Sequence, residues 1–168
     1  HKEYRRQRQM CIRDSSGLRA LSRRNLRFDL LLQPRHLKML PRLAAEVSDL
    51  QMVINHCAKP GLGTRGIDSW HRQFGKLSEF ENLHCKISGL VTEADWNHWT
   101  TNELRPVFET ALQTFGSNRL LYGSDWPVCT LAATYGEVFE SATSLAAGLS
   151  STEQADIFGQ NAIRFYNL

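Results

Sequence analysis

Leu120-Leu121-Tyr122-Gly123-Ser124-Asp125-Trp126-Pro127 constrains this chain more than any other stretch. An apolar run stops at a glycine and then presents a carboxylate, an indole and a proline in succession. That layout reads as a short buried strand ending in a site, because loops carried on a rigid scaffold are where binding and catalytic side chains gather. Two earlier segments repeat it: Met52-Val53-Ile54-Asn55-His56-Cys57-Ala58-Lys59-Pro60 and Leu83-His84-Cys85-Lys86-Ile87-Ser88-Gly89-Leu90. Each is a short apolar strand with polar side chains near its carboxyl end, the end that carries the chemistry in parallel α/β sheets.

From Leu26 onward, strand and helix patterns alternate, which predicts a parallel sheet covered by helices. Residues 27–32 form the first expected strand, and 34–47 the first helix, with Leu37, Leu40, Leu43 and Ala44 at core spacing. Residues 52–55 are the second strand. A loop through Pro60, Gly61 and Gly63 leads to a helix opening near Asp68 or Ser69, with Trp70, Phe74 and Leu77 facing inward. The third strand is 83–88. A polar loop holding Trp96, His98 and Trp99 follows, then a helix from about Asn102 that Gly116 terminates in the left-handed conformation. Residues 120–122 are the fourth strand. The last helices run over about 134–147 and 151–158, the second opened by Ser151 with Gln154 at capping-box spacing.

Composition narrows the class. The chain has 168 residues, 42% apolar and 22% charged, enough for one globular core. No apolar run approaches the roughly 20 residues of a membrane-spanning helix, and no signal-like apolar block follows the charged N-terminus, so no membrane partner and a cytoplasmic location are expected. Residues 1–27 carry nine Lys/Arg against two Asp/Glu, and the remainder eleven against fifteen. A nucleic-acid partner would rest wholly on that basic leader and is not expected. Cys11, Cys57, Cys85 and Cys129 show no C-x-x-C spacing, so free thiols in a reducing compartment are expected rather than zinc clusters or disulfides. No Gly-x-Ser-x-Gly elbow and no P-loop occurs.

Asp125, immediately after a buried strand, is the leading catalytic candidate: partial desolvation can tune such a carboxylate as a base that takes a proton from water. The alternative is a loop carboxylate bonding backbone amides. His56, ending the second strand, could polarise a carbonyl, orient Asp125 or ligate a divalent ion; a lone histidine is otherwise structural. Lys86 lies within the third strand, where a cation needs a carboxylate partner, an anionic substrate or a developing oxyanion to hold. Trp126 offers a flat face for stacking on a ring. Gln33 and Arg35, just past the first strand, stand where substrate contacts could form. His84 is read as outer packing, out of phase with the strand ends; Asn55, Ser88 and Ser124 as supports; Asn161, Phe165 and Tyr166 as docking the final helix.

Five segments together resemble one family: Phe28-Asp29-Leu30-Leu31-Leu32 with Pro34; Val53-Ile54-Asn55-His56 with Lys59-Pro60; Lys86-Ile87-Ser88-Gly89; Tyr122-Gly123-Ser124-Asp125-Trp126-Pro127; and Asn161-Ala162 with Phe165-Tyr166. They resemble the C-terminal half of an amidohydrolase-2 type TIM barrel, in the branch of sugar-lactone and pyrone-dicarboxylate lactonases. The resemblance implies that the four strands are the fifth to eighth of a (β/α)8 barrel, with the first four missing. It implies a hydrolase that opens a small-molecule lactone, with Asp125 activating the water and His56 beside it, and with Lys86, Trp126, Gln33 and Arg35 binding substrate. His56 and Asp125 could also hold one divalent metal such as zinc; the His-x-His pair usual on the first strand of relatives is absent, so this chain would not complete the site. The alternatives are a metal-dependent decarboxylase of the same superfamily, and a catalytically incomplete fragment or protein-binding half barrel that self-associates through its open sheet edges.

Met10-Cys11-Ile12-Arg13-Asp14-Ser15 resembles the translated end of a transposon adapter used in sequencing libraries, a recurrent contaminant of metagenomic sequence. Residues 1–15 are therefore expected to be a non-native leader, and 16–168 a partial barrel domain.

Overall fold

The computed structural model describes residues 16–62 and 67–168; the expected leader, 1–15, lies outside the described residues. A helix over 16–23 (α1) precedes strand β1, Phe28–Leu30. A 3-10 turn, Pro34–Met39, leads into α2, Leu40–Glu46, and then β2, Met52–Ile54. Helix α3, Ile67–Gly75, precedes β3, Leu83–Ile87; α4, Thr101–Phe115, precedes β4, Leu120–Tyr122. The chain closes with α5, Tyr135–Ala146, α6, Ser151–Ala155, a π turn at Asp156–Gln160, and α7, Asn161–Tyr166. The four strands form one parallel sheet in the order β1-β2-β3-β4, so β1 and β4 are its outer strands.

Local chemistry explains where elements depart from the sequence pattern. The first helix splits because Pro41 lacks the N–H that a continuous ladder would use, and regular α-helical bonding begins only at Leu40. The second strand ends at Ile54, not Asn55, because the chain turns left-handed at His56. Gly116 ends α4 at φ 66° and ψ 168°, a conformation open essentially to glycine alone but outside the left-handed helical region expected for it. Helix α5 opens on the Thr134–Glu137 capping box, whereas α6 opens on Ser150 with Glu153, one residue earlier than expected. Two overlapping Ser-x-x-Glu/Gln spacings compete there, and the carboxylate makes the stronger reciprocal bond.

The sheet has two distinct faces. Phe28, Leu30, Met52, Ile54, Leu83, Cys85, Ile87 and Leu120 pack toward the helices with Leu37, Leu40, Trp70, Phe74, Leu104 and Phe115 in the main core. Trp70 and Phe74 stack at 4.6 Å, and Phe74 meets Phe115 edge-on at 5.4 Å. Alternation sends the intervening residues to the opposite, inner face, where Asp29, Val53 and His84 align across the register and Lys86 aligns with Leu121. Phe165 of α7 packs on that face against Val53 and Leu121, with Ala162 and Tyr166 beside it. Asn161 docks the helix: its side-chain amide donates to the carbonyls of Ser117 (2.7 Å) and Leu120 (2.6 Å). Among the described residues no helix is long and apolar enough to cross a membrane.

Candidate active site

The carboxyl ends of β2, β3 and β4 meet at one rim. After β2 the backbone makes a left-handed turn, with φ of 53°, 48°, 59° and 54° at His56, Cys57, Ala58 and Lys59. Left-handed residues other than glycine cost roughly 1–2 kcal/mol each, and runs of them are not routine. The turn therefore needs tertiary contacts to hold it, and strain of this kind gathers at functional sites. It swings the His56 ring over β3. There His56 Nδ1 lies 2.9 Å from the Ser88 hydroxyl.

After β4, Asp125 also adopts a positive φ of 58°, its carbonyl accepting from Cys129 N–H and its neighbour Trp126 N–H bonding Ser124 Oγ. The Trp126–Pro127 peptide is cis. The carboxylate reaches back so that Oδ1 stands 3.6 Å from His56 Nε2. This is longer than a hydrogen bond but short enough for one water or substrate oxygen to touch both groups. Both side chains are partly buried, 17% and 15% exposed.

The electrostatics choose the tautomer. A carboxylate facing Nε2 favours a proton there, which leaves Nδ1 to accept from Ser88 O–H. Burial pushes the imidazole below its usual pKa, and the cations of Lys59 and Lys86 add to this, while Asp125 and Glu93 oppose it. A neutral ring with an Nε2–H donor beside a carboxylate base is the result. Such a pair can take a proton from water and hydrogen-bond a carbonyl oxygen.

Gly89 explains the closeness of the pair. It has φ +61°, and a Cβ there would lie 2.7 Å from His56 Nδ1 and 2.9 Å from Asp125 Oδ2. Only glycine leaves room for both groups. Neither this requirement nor the Ser88 bond follows from spacing, although the Lys-x-Ser-Gly segment held both residues.

The other sequence candidates disperse. Lys86 Nζ bonds Asp29 Oδ2 at 2.5 Å, and the Tyr166 hydroxyl donates to Asp29 Oδ1 at 2.8 Å. Burial works against the Lys86 charge, but its bonds to Asp29 and Tyr166 outweigh it and raise the pKa. Trp126 is 66% exposed at the rim, and Gln33 and Arg35 are exposed on the turn after β1. His84 is a correction: it shares the inner face with Lys86, two residues on, and its ring packs at 4.8 Å against Phe165. In the loop after β3, Trp99 Nε1 donates to Ala132 O and Trp96 Nε1 to Thr92 O. Cys57, Cys85 and Cys129 are free and buried.

A resident metal does not fit this chain by itself. Catalytic zinc takes three protein ligands. Among the described residues no three His, Cys, Asp or Glu side chains converge, and His56 with Asp125 supplies two donors.

The amidohydrolase family model matches residues 3–168. The chain is 36% identical over 160 residues to an L-fucono-1,5-lactonase of Burkholderia ambifaria, covering 89% of this chain and 52% of that protein. A solved amidohydrolase from Burkholderia multivorans with bound zinc superposes with a TM-score of 0.87 at 33% identity, covering 92% of this chain and 57% of that one. A probable 2-pyrone-4,6-dicarboxylic acid hydrolase from Acinetobacter baumannii shares the fold, with a TM-score of 0.74 at 22% identity and 90% and 56% coverage. The chain thus spans about half the length of the relatives it matches. With its parallel strand-helix units corresponding to half of a TIM-barrel amidohydrolase, this chain belongs to the amidohydrolase family.

Proposed function

We propose that the His56–Asp125 pair serves a hydrolase that opens a small-molecule lactone, with a sugar-acid lactone as substrate. The carrying observation is the placement of the His56 imidazole and the Asp125 carboxylate 3.6 Å apart on separate strand ends, with Gly89 clearing space for both. The likeness to an L-fucono-1,5-lactonase supports this choice of substrate class. Water held between the two groups attacks the ring carbonyl as Asp125 accepts its proton; when the tetrahedral intermediate collapses, the ring C–O bond breaks and the protonated Asp125 returns that proton to the departing alkoxide. The Nε2–H of His56 steadies the charge that develops on oxygen, and the Lys86 ammonium adds positive potential from the layer below. Trp126 stacks on the sugar ring, and Gln33 and Arg35 contact its hydroxyls. Asp125→Asn in the full-length protein, assayed on aldonolactones, tests the reading: kcat falls about 100-fold or more, and retained turnover overturns it.

Two other readings have specific support. Zinc in the related B. multivorans amidohydrolase supports a metal-dependent enzyme, with His56 and Asp125 contributing two ligands to a site completed by other residues, and a metal-dependent decarboxylase of the same superfamily is the alternative of that kind. Stoichiometric zinc with turnover of an aromatic carboxylic acid, and none of a lactone, would favour it. Among the described residues the outer edges of β1 and β4 carry no further strand, and with about half the length of relatives this supports an incomplete barrel that pairs with another polypeptide. The genomic frame upstream of codon 16 tests this last reading: a continuous frame encoding strands one to four makes the present chain a fragment of a complete barrel, and a genuine start codon favours the half barrel.

A further inference from the structure

The left-handed turn that aims His56 is tied at several points. Lys59 N–H donates to His56 O (2.7 Å), and Trp70 Nε1–H donates to Cys57 O (2.8 Å) from helix α3. The third tie is an ion pair between Lys59 Nζ and Glu93 Oε1 at 2.8 Å, their side chains 35% and 20% exposed. Its two ends sit on the two segments that build the site. Lys59 closes the turn begun by His56, whereas Glu93 ends the 3-10 turn Val91–Glu93, four residues beyond Gly89 and five beyond Ser88. Thr92 Oγ1 donates back to Gly89 O at 2.9 Å, so that this loop and Gly89 move as one piece.

We propose that Lys59 and Glu93 are positioning residues for the His56–Asp125 centre, their ion pair clamping the strained β2 turn to the loop after β3 and so fixing the imidazole against Ser88 and Asp125. Lys59 touches no reacting atom in this scheme; its ammonium is engaged by Glu93. A pair this exposed adds little by its Coulomb energy alone. Its value lies in where it holds the turn: four consecutive left-handed residues relax toward ordinary backbone when a tether is lost, and an ångström of drift at a reacting group is enough to cost about 100-fold in rate. The catalytic part of the proposal rests on the hydrolase reading of His56; the clamp itself does not.

The test uses the 168-residue chain with K59M, E93Q, the K59M/E93Q double variant and the exchanged pair K59E/E93K, read in two ways. Hydrogen exchange of the Trp70 indole N–H, assigned by W70F, reports whether the turn holds its geometry. Turnover of an aldonolactone reports whether the imidazole stays aimed. The clamp predicts that each single variant speeds Trp70 N–H exchange and lowers kcat by about 10- to 100-fold with KM within about twofold. The double neutral variant is no worse than either single, and the exchanged pair recovers most of both. Unchanged Trp70 protection in K59M and E93Q overturns the clamp. So does multiplicative loss in the double variant, or a K59M effect confined to KM, which would make Lys59 a substrate contact. If the 168-residue chain turns over no lactone, kcat is read on the full-length protein carrying the same variants, and no turnover there fails the hydrolase reading by itself; the exchange data still decide the clamp. If a neutral variant does not fold, K59E/E93K decides: native Trp70 protection supports the pair, and its loss overturns it.

Discussion

Gly89 lies against the His56 ring so closely that a single methyl group on its α-carbon would stand 2.7 Å from Nδ1. Its positive φ adds a second demand for glycine at the same place. Gly89→Ala therefore loses about 1–2 kcal/mol through its backbone alone and displaces the imidazole from Asp125. Urea unfolding with kcat on the same variant checks both effects. The expected fall in kcat, about 100-fold, exceeds what the stability loss explains.

Ser88 holds His56 from the side opposite Asp125. Ser88→Ala removes one neutral hydrogen bond worth about 1 kcal/mol and frees the ring to flip. A decrease in kcat of about 10-fold with little change in KM is expected. Ser88→Thr, which keeps the hydroxyl, should restore part of it.

His84 gives the fold a pH dependence separate from the site. Burial, then the cations of Arg119 and Arg27, pushes its pKa down to about 4 from 6.5, and its Nδ1 is buried without a partner. Between those values the unfolded chain binds the proton and the folded chain does not, so stability is full above pH 6.5, falls as pH drops through the window, and levels below about 4. Discounted for partial exposure, the loss is on the order of 2 kcal/mol. Melting temperature against pH measures it, and His84→Leu flattens the curve across the window.

Lys86 and Asp29 separate structure from catalysis. Both K86M and D29N break the pair and are expected to cost about 1 kcal/mol each, since Asp29 is well exposed. Only K86M removes positive charge from beneath the reacting centre, so only K86M lowers kcat, by about 10-fold. Equal kcat in K86M and wild type would leave Lys86 as a partner for Asp29 and Tyr166 alone.

Much of the frame was readable because it is written in local pattern. The strands expected at 52–55, 83–88 and 120–122 hold β2, β3 and β4, and the helix expected from about 134 is α5, opened by the Thr134–Glu137 capping box. Asn161, Phe165 and Tyr166 docked the last helix as read. Apart from the face of His84, what escaped depends on contacts remote in sequence. The face of His84 follows from the alternation of β3 itself, which sets it beside Lys86 rather than on the helix side. The meeting of Lys59 with Glu93, of Lys86 with Asp29, and of Gly89 with both reacting groups joins residues 33 to 57 positions apart, and no helical or strand period encodes such pairs.

The central claim is that His56 and Asp125 act as one unit. The most direct measurement is kcat/KM on one aldonolactone for His56→Asn, Asp125→Asn and the double variant. The account predicts that each single substitution removes about as much rate as both together, because a unit lost once is not lost again. Independent, multiplicative losses, or turnover that survives without the Asp125 carboxylate, would contradict it.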